Sequence, residues 1–452
     1  MIRTRPKHHA SIDRGGGGVS RRLAVLGAAT GVLACTPDPQ QVPGVDSEDT
    51  TASETSSTSA STGDHPGADS GSSNETTAGD GDVDGDTGEQ GTGSEDDTGE
   101  PPTGGACRRA PFDNTLDLPP NTWVEVTPSA MLPPEGAFAE RGYTSMIYSA
   151  CLGTTVSWEG YLDDVDWFPT IYSNALYTFD PLANGVALLK RNNWSRQGET
   201  IPLPANASDP TPPDRHPYGA FADAPERGGF FVWGGANQSL AGGHPTDTWR
   251  FDADNTHWAE VDAGNPAPPV MLEAAMAYHA AADRLVLQGN PMGGEGRTFV
   301  NDFDGVGWTE VQGAGPGTRS GTRLLYDRER ERVVLFGGGA FAAGGNAVWF
   351  YDAEGGWTDH TPAVSPPNRK RHGFVHDTDH DVYIAFGGNN AGAGQLLADT
   401  WVFDPDAEVW LDMDPDVAPP ATGHVDMAYD ESTQLAVARL NASWWLYRCG
   451  DR

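Results

Sequence analysis

Short segments of alternating apolar and polar residues recur along most of the chain, each followed by two further apolar segments. Strict alternation over four to eight residues predicts half-buried β-strands. Six windows align without gaps as the first strand of a repeating unit, and they begin at Arg141, Arg215, Met271, Arg319, Arg369 and Thr422. In three units the second strand ends at a glycine pair, beginning at Gly234, Gly337 or Gly387.

A tryptophan follows the third strand near the end of five units: Trp194, Trp258, Trp308, Trp357 and Trp410. The last four are spaced by 50, 49 and 53 residues. Short strands that repeat at such a period predict four-stranded sheets arranged radially.

The sixth unit has three strands and lacks the outer strand with its tryptophan. A matching segment lies near the other end of the repeats, at 121–126, and contains Trp123. An N-terminal strand that completes the last sheet would close a ring of six sheets and remove its exposed edges.

These features resemble the kelch repeat of β-propellers over nearly all of residues 121–449. The glycine pair after the second strand, and a tryptophan six residues past Asp252 and Asp404, carry the resemblance. It implies an all-β fold, a six-bladed kelch-type β-propeller spanning 107–452 and similar to the central domain of galactose oxidase. Such propellers place ligand sites at the mouth of the central channel.

The charge of the chain, −36 over 452 residues, is spread unevenly. Residues 36–106 contain 17 Asp and Glu and no Lys or Arg, among many Ser, Thr and Gly. Such a segment cannot bury enough apolar surface to offset its chain entropy, so we predict a disordered acidic tether. The acidic balance also argues against nucleic-acid binding, which needs clustered Lys and Arg.

Residues 1–35 predict export. Arg21 and Arg22 precede twelve mostly apolar residues that end at Ala34, and the segment around Cys35 resembles the lipobox of bacterial lipoproteins. We therefore expect a signal peptide, lipidation of Cys35, and a protein held on the cell envelope, at the outer membrane or cell surface, through that anchor alone. Ser20 and the two arginines also resemble a twin-arginine signal, so the export route stays open. An ordinary signal peptide cut near Ala34 is the alternative.

Three further cysteines remain: Cys107, Cys151 and Cys449. Cys107 precedes the closing strand, and Cys449 follows the strand with which the closing strand would pair. We expect a disulfide between these two, which would lock the ring and stabilise it by roughly 2–5 kcal/mol. Cys151 is a competing partner.

Charged and polar residues lie where the first strands begin: Arg141, His216, Glu273, Arg319, Arg323, His372, His424 and Asp426. Arginine, histidine and glutamate at a channel mouth could hold a carboxylate or a sugar acid. The alternative hypothesis is that they hydrogen-bond adjacent blades.

The first unit carries a long insertion, 161–172, with acidic and aromatic residues side by side: Asp163, Asp164, Asp166, Trp167 and Tyr172. Rings stack on sugar faces and carboxylates accept hydroxyl protons, so these residues, with Arg141 and His216, are the predicted ligand contacts. They would equally suit a cation, and the loop could instead pack on its own blade.

We expect neither a metal nor a cofactor. His372, His376 and His380 are spaced by four residues, but they lie on and just past a strand, where that spacing does not bring them together. Galactose oxidase has a copper site and a further C-terminal β-domain that this sequence lacks, so we do not expect a copper oxidase.

We therefore expect a monomeric binding module for an extracellular or periplasmic glycan or protein, rather than an enzyme. The alternative is a sugar-modifying enzyme resembling the kelch-type sialic-acid mutarotase, which uses Glu and Arg at the channel mouth. Glu273 with Arg319 or Arg323 could form such a pair.

Overall fold

The computed structural model describes residues 116–128, 141–142, 144–162, 171–173, 175–190, 194–196, 199–201, 210–237, 244–292, 294–339, 344–390, 392–440 and 443–450. All of them belong to one compact unit, Ser94–Arg452. Within these residues, no helix has the length and apolar character needed to cross a membrane.

Six four-stranded antiparallel sheets, here called blades 1 to 6, account for most of the described residues. Blades 1 to 3 consist of Ser145–Ser149, Thr154–Trp158, Leu176–Asp180 and Gly185–Lys190; Phe221–Ala224, Gly229–Trp233, Thr248–Asp252 and His257–Val261; and Met271–His279, Arg284–Pro291, Arg297–Asn301 and Trp308–Glu310. Blades 4 to 6 consist of Arg323–Asp327, Arg332–Phe336, Val348–Asp352 and Gly356–Asp359; Gly373–Asp377, Val382–Asn390, Gln395–Asp404 and Val409–Asp412; and Asp426–Asp430, Leu435–Leu440, Ser443–Arg448 and Thr122–Val126. One 3₁₀ turn, Pro225–Arg227, joins the first two strands of blade 2.

The first strands of successive blades contact one another around a complete circle, and blade 6 meets blade 1. These six strands therefore surround a central channel. The predicted all-β, six-bladed propeller is confirmed.

Closure depends on the N-terminal strand, as predicted. Thr122–Val126 pairs antiparallel with Ser443–Arg448, and Trp123 lies opposite Tyr447. The indole of Trp123 is 1% exposed, stacks on Tyr447 at 4.9 Å, and donates from Nε1 to Thr400 Oγ1 of blade 5 at 3.0 Å. Both ends of the repeat region thus share one sheet.

The outer-strand tryptophans join neighbouring blades by the same contact. Trp308 Nε1 donates to Thr248 Oγ1 of the preceding blade at 2.8 Å, and Trp357 Nε1 donates to Thr298 Oγ1 at 2.8 Å. Each indole thereby buries a large apolar surface and satisfies its only polar group.

The glycine pairs allow the second strand to approach the start of the first. Gly235 and Gly388 have φ of 104° and 95°. A Cβ atom would meet the carbonyl oxygen of His216 at 2.6 Å in the first case and that of Lys370 at 2.8 Å in the second. Both the backbone angle and the space therefore require glycine.

Blade 1 departs from the prediction. Val186, not Trp194, occupies the outer-strand position opposite Phe179 that Trp258 occupies opposite Phe251 in blade 2. Trp194 lies in an additional five-stranded sheet formed by segments that lead into or out of blade 1: Glu199–Ile201, Trp194–Arg196, Ile171–Ser173, Tyr161–Leu162 and Arg141–Gly142. The predicted insertion loop thus contributes two strands to this sheet.

The predicted Cys107–Cys449 disulfide is wrong, because Cys449 is a buried thiol that packs in the apolar cluster between blades 5 and 6. Cys151 is disulfide-bonded, so its partner lies outside the described residues. Cys107, the predicted signal peptide and the predicted tether also lie outside them.

Candidate functional site

The central channel has two ends, which we call the upper mouth, where the first strands begin, and the lower mouth, where they end. A cavity of about 220 Å³ lies between them. Its middle is largely apolar and its ends are charged, with Met146, Met276, Phe374 and Met427 along the wall, Arg323 and Asp426 above, and Arg328 and Glu431 below.

Glu273 is the centre of one polar network at the upper mouth. Its carboxylate accepts hydrogen bonds from the Arg371 guanidinium of blade 5 and the Ser320 hydroxyl at the start of blade 4. The Lys370 ammonium lies 3.9 Å from Glu273 Oε2, beyond hydrogen-bonding distance. Side chains from three blades therefore meet at this network.

A second network surrounds Asp426, which is 2% exposed. The carboxylate accepts a hydrogen bond from the Thr144 hydroxyl of blade 1, and Oδ1 lies 3.1 Å from His424 Nε2 and 3.7 Å from the Arg323 guanidinium. Arg323 also donates to the carbonyl oxygens of His372 at 2.9 Å and Val425 at 3.1 Å. Burial lowers the pKa of Arg323, whereas the charge of Asp426 opposes that shift.

The backbone holds Glu273 and Arg371 in an unusual conformation. Both have positive φ, 56° and 54°, at the repeat position where blade 4 has Gly321. Backbone hydrogen bonds connect these positions from blade to blade: Gly321 N donates to Glu273 O at 3.1 Å, and Arg371 N donates to Gly321 O at 2.7 Å. Positive φ in a non-glycine residue costs conformational energy and often marks a functional site.

Blade 2 contributes an aromatic pair to the upper mouth. The rings of His216 and Tyr218 lie 4.5 Å apart, and Tyr218 also has positive φ, 56°. Burial, followed by the charges of His424, His244 and Arg371, lowers the pKa of His216 to about 3. His216 is therefore neutral at physiological pH.

Arg319 has a structural position, not the one expected for a catalytic partner of Glu273. The residue is 5% exposed, and its guanidinium donates to the carbonyl oxygens of Pro316, Gly337 and Gly344 at 2.6–2.9 Å. Burial lowers its pKa to about 10. Arg319 thus bonds the turns of its own blade, rather than an adjacent blade.

The remaining predicted residues divide into three groups. His372 is buried between blades 4 and 5, against Phe336 at 4.9 Å, rather than in the mouth. Of Arg141 and Tyr172 only the backbone is described, within the additional sheet. Asp163, Asp164, Asp166 and Trp167 lie outside the described residues.

Sequence reasoning missed Arg371, Ser320 and Lys370 as members of the upper mouth. The aligned first-strand windows could have predicted Arg371, because it occupies the third position of its window, as Glu273 does. Successive blades place equal repeat positions side by side around the channel, so residues in register become neighbours.

The lower mouth has a different chemistry. Four tyrosines and a histidine lie at one repeat position near the ends of the first strands: Tyr148, Tyr278, Tyr326, Tyr429 and His376. Asp223 accepts from the backbone N–H of Ala150 at 3.2 Å, and burial raises its pKa to about 8. Groups of possible metal ligands lie in the adjoining hairpins of blades 4 and 5.

In a comparison with known families, residues 224–435 match the family model described as the KLHDC2/KLHL20/DRC7 Kelch-repeats domain. The match covers the hairpins and strands from the end of the first strand of blade 2 to the start of the second strand of blade 6. No curated protein matches the chain.

Proposed function

We propose that this kelch-repeat six-bladed β-propeller is a binding module, anchored to the cell envelope through Cys35 and the acidic tether 36–106, and that its upper mouth binds a carboxylate group of an extracytoplasmic glycan or protein. A kelch propeller is in general a protein-interaction module, which supports binding as the function. The proposal goes further in naming a carboxylate-bearing ligand and a location on the cell envelope.

The charge of the upper mouth is the observation that carries the proposal. Arg323, Arg371 and Lys370 bring three cationic groups to the opening, whereas Glu273 and Asp426 bring two carboxylates. This local excess of positive charge occurs in a chain of net charge −36. A guanidinium and an ammonium in a poorly solvated mouth favour an anionic group with two acceptor oxygens.

Rigidity also favours binding. The side chains of Glu273 and Arg371 are held by hydrogen bonds, and their backbones are linked to neighbouring blades through Gly321. A ligand that meets a preorganised site loses less free energy to ordering of the protein.

The proposal is tested with the full chain on arrays of acidic and neutral glycans and of acidic peptides. Arg371→Gln removes one positive charge from the mouth and should weaken binding at least tenfold. The matched control is Arg297→Gln, because Arg297 has a side chain that is 47% exposed and pairs with Glu310 on the outer part of blade 3. Binding that is equally strong in both variants, or confined to neutral ligands, would contradict the proposal.

The insertion of blade 1 gives a second arm of the same experiment. Asp163, Asp164, Asp166 and Trp167 remain predicted carbohydrate contacts. If the ligand is a glycan, Trp167→Ala should also reduce binding, since ring stacking contributes to sugar affinity. If Trp167→Ala has no effect while Arg371→Gln does, the carboxylate alone is recognised.

The alternative function is a sugar-modifying enzyme, and the Glu273–Arg371 pair is the observation that favours it. This pair differs from the predicted pairs with Arg319 or Arg323. The guanidinium stabilises the ionised form of the carboxylate, which can then accept a hydrogen bond from a sugar hydroxyl. Exchange between anomers of an acidic sugar, followed by NMR and abolished by Glu273→Gln, would establish this alternative.

A further inference from the structure

Two groups of possible metal ligands lie at equivalent places, where the first hairpins of blades 4 and 5 turn. One consists of Asp327, His376 and Asp381, and the other of Asp377, His380 and Cys449. In each group the three donor atoms lie within 4.8 Å of one another. Their surroundings decide whether either group can hold a cation.

The group around Asp327 is already neutralised by arginines. Arg330 lies 3.2 Å from Asp327 Oδ2 and 2.7 Å from Asp381 Oδ2, and Arg332 lies 3.5 Å from Asp327 Oδ2. The Tyr383 hydroxyl donates to the same carboxylate. Because arginine stays protonated in proteins, this group is closed to a metal ion.

The group around Asp377 has different residues at the same repeat positions. His380 takes the place of Arg330, Val382 that of Arg332, and Ala436 of blade 6 that of Tyr383. The two arginines that neutralise Asp327 therefore have no counterparts at these positions, and the nearby tyrosine hydroxyl is that of Tyr429 in blade 6, which lies beside the Asp377 carboxylate. The Cys449 sulfur of blade 6 lies within 4.8 Å of the ligand atoms of Asp377 and His380.

We propose that Asp377, His380 and Cys449 bind one zinc ion, with a fourth position open to water. Carboxylate, imidazole and thiolate are the ligand types that zinc takes, and three protein ligands with one open position are typical of non-structural zinc sites. A thiolate among the ligands favours zinc over magnesium or calcium.

The geometry fits this coordination. Asp377 Oδ2 lies 3.0 Å from His380 Nδ1, close to the roughly 3.3 Å expected between two ligands at about 2.0–2.1 Å from one tetrahedral ion. The other oxygen, Oδ1, accepts the backbone N–H groups of Asp379 and His380 at 3.0 and 3.1 Å, which fixes the orientation of the carboxylate. Such supporting hydrogen bonds orient metal ligands.

Burial makes the site selective yet reachable. Asp377 is 1% exposed and Cys449 is 3% exposed, whereas the His380 side chain is 20% exposed and offers a path from solvent. Metal binding would convert the Cys449 thiol to a thiolate and release its proton to solvent. The ion would supply the positive charge that Arg330 and Arg332 supply in blade 4.

The test is a titration of the purified full chain, stripped with chelator and kept without reductant, with Zn²⁺ and separately with Co²⁺. We expect one equivalent of tightly bound metal, and for cobalt an absorption band from thiolate-to-metal charge transfer. Cys449→Ala and His380→Arg should each weaken binding by roughly 100-fold or more, because each removes a direct ligand. His376→Gln, in the arginine-filled group, is the matched control and should bind as the wild type does.

His380→Arg also separates metal binding from folding. It imitates Arg330 of blade 4 and should melt within a few degrees of the chelator-treated wild type, whether or not zinc is present. The wild type, in contrast, should melt at a higher temperature with zinc than with chelator. Absence of a bound equivalent, or binding that Cys449→Ala leaves unchanged, would overturn the proposal.

Discussion

Blades 4 and 5 have the same strand order but differ at the start of the third strand. Blade 5 has Asp399 and Thr400, whereas blade 4 has Ala347 and Val348 at the same positions. In blade 5, Arg369 donates to both oxygens of Asp399, at 3.1 and 2.7 Å. In blade 4 the equivalent Arg319 donates only to backbone carbonyl oxygens among the described residues.

The second position differs in the same way. Thr400 accepts a hydrogen bond from Trp123 of the next blade, but Val348 cannot, and among the described atoms the Nε1 of Trp410 in blade 5 has no hydrogen-bond partner. Val348 and Trp410 still pack in one apolar cluster. The comparison teaches that burial of the tryptophan is common to both boundaries, whereas the polar contacts are optional additions to it.

Removing the carboxylate from blade 5 gives the largest expected effect. Asp399→Ala should lower the free energy of unfolding by about 3 kcal/mol, because it leaves the buried Arg369 guanidinium without its anion and Trp401 Nε1 without its acceptor. Urea denaturation followed by tryptophan fluorescence measures the loss. Asp406→Ala is the control, since that exposed carboxylate pairs with Arg330 at the surface and should cost under about 1 kcal/mol.

If Asp399→Ala and Asp406→Ala cost the same, the blade 5 pair contributes no more than a surface ion pair. The absence of a carboxylate in blade 4 would then need no compensation from the carbonyl oxygens of Gly337 and Gly344.

The strands and their closure were predictable from the sequence because they depend on local patterns. Alternation, the glycine pairs and the spacing of tryptophans report on neighbours within one blade, and Trp123 supplied the missing member of the series. In blade 1 the same reasoning chose Trp194 over Val186, because an indole was expected where a smaller apolar residue suffices.

The site was less predictable because it depends on which of several arginines reaches the channel. Arg319 and Arg323 are four residues apart, yet the first binds its own blade and the second lies at the upper mouth. The predicted disulfide failed for a similar reason: chain order placed Cys449 near Cys107, whereas packing places it beside Asp377 and His380 of blade 5. Contacts between distant repeats require the three-dimensional register.

The boundary between blades 4 and 5 also predicts a dependence on pH. His372 is fully buried there, and burial, followed by the charges of Arg369 and Arg323, lowers its pKa well below its usual value. The unfolded chain binds a proton near pH 6.5, but the folded chain does not, so stability is complete above that pH and falls as the pH drops below it.

A histidine that is protonated only in the unfolded chain lowers the free energy of unfolding by about 1.4 kcal/mol for each pH unit below pH 6.5. His372→Thr imitates Thr322 of blade 4 and should reduce the slope between pH 6.5 and 5, whatever it does to stability at pH 7.5. Denaturation curves across this range measure both quantities. An unchanged slope would show that His372 becomes protonated in the folded protein.

The smallest expected effect comes from exchanging the second position between the two blades. Thr400→Val should cost about 1 kcal/mol, because Trp123 Nε1 would be buried without an acceptor, as Trp410 Nε1 now is. Val348→Thr should raise the free energy of unfolding by up to about 1 kcal/mol, because it gives Trp410 Nε1 an acceptor.

Trp410→Phe supplies the control for this exchange, because it keeps the ring and removes the N–H group. In that background Val348→Thr should stabilise nothing and instead bury an unpaired hydroxyl, so the sign of its effect should reverse. If Val348→Thr stabilises both backgrounds equally, the gain comes from the strand and not from a bond to the indole, and the two boundaries differ in packing alone.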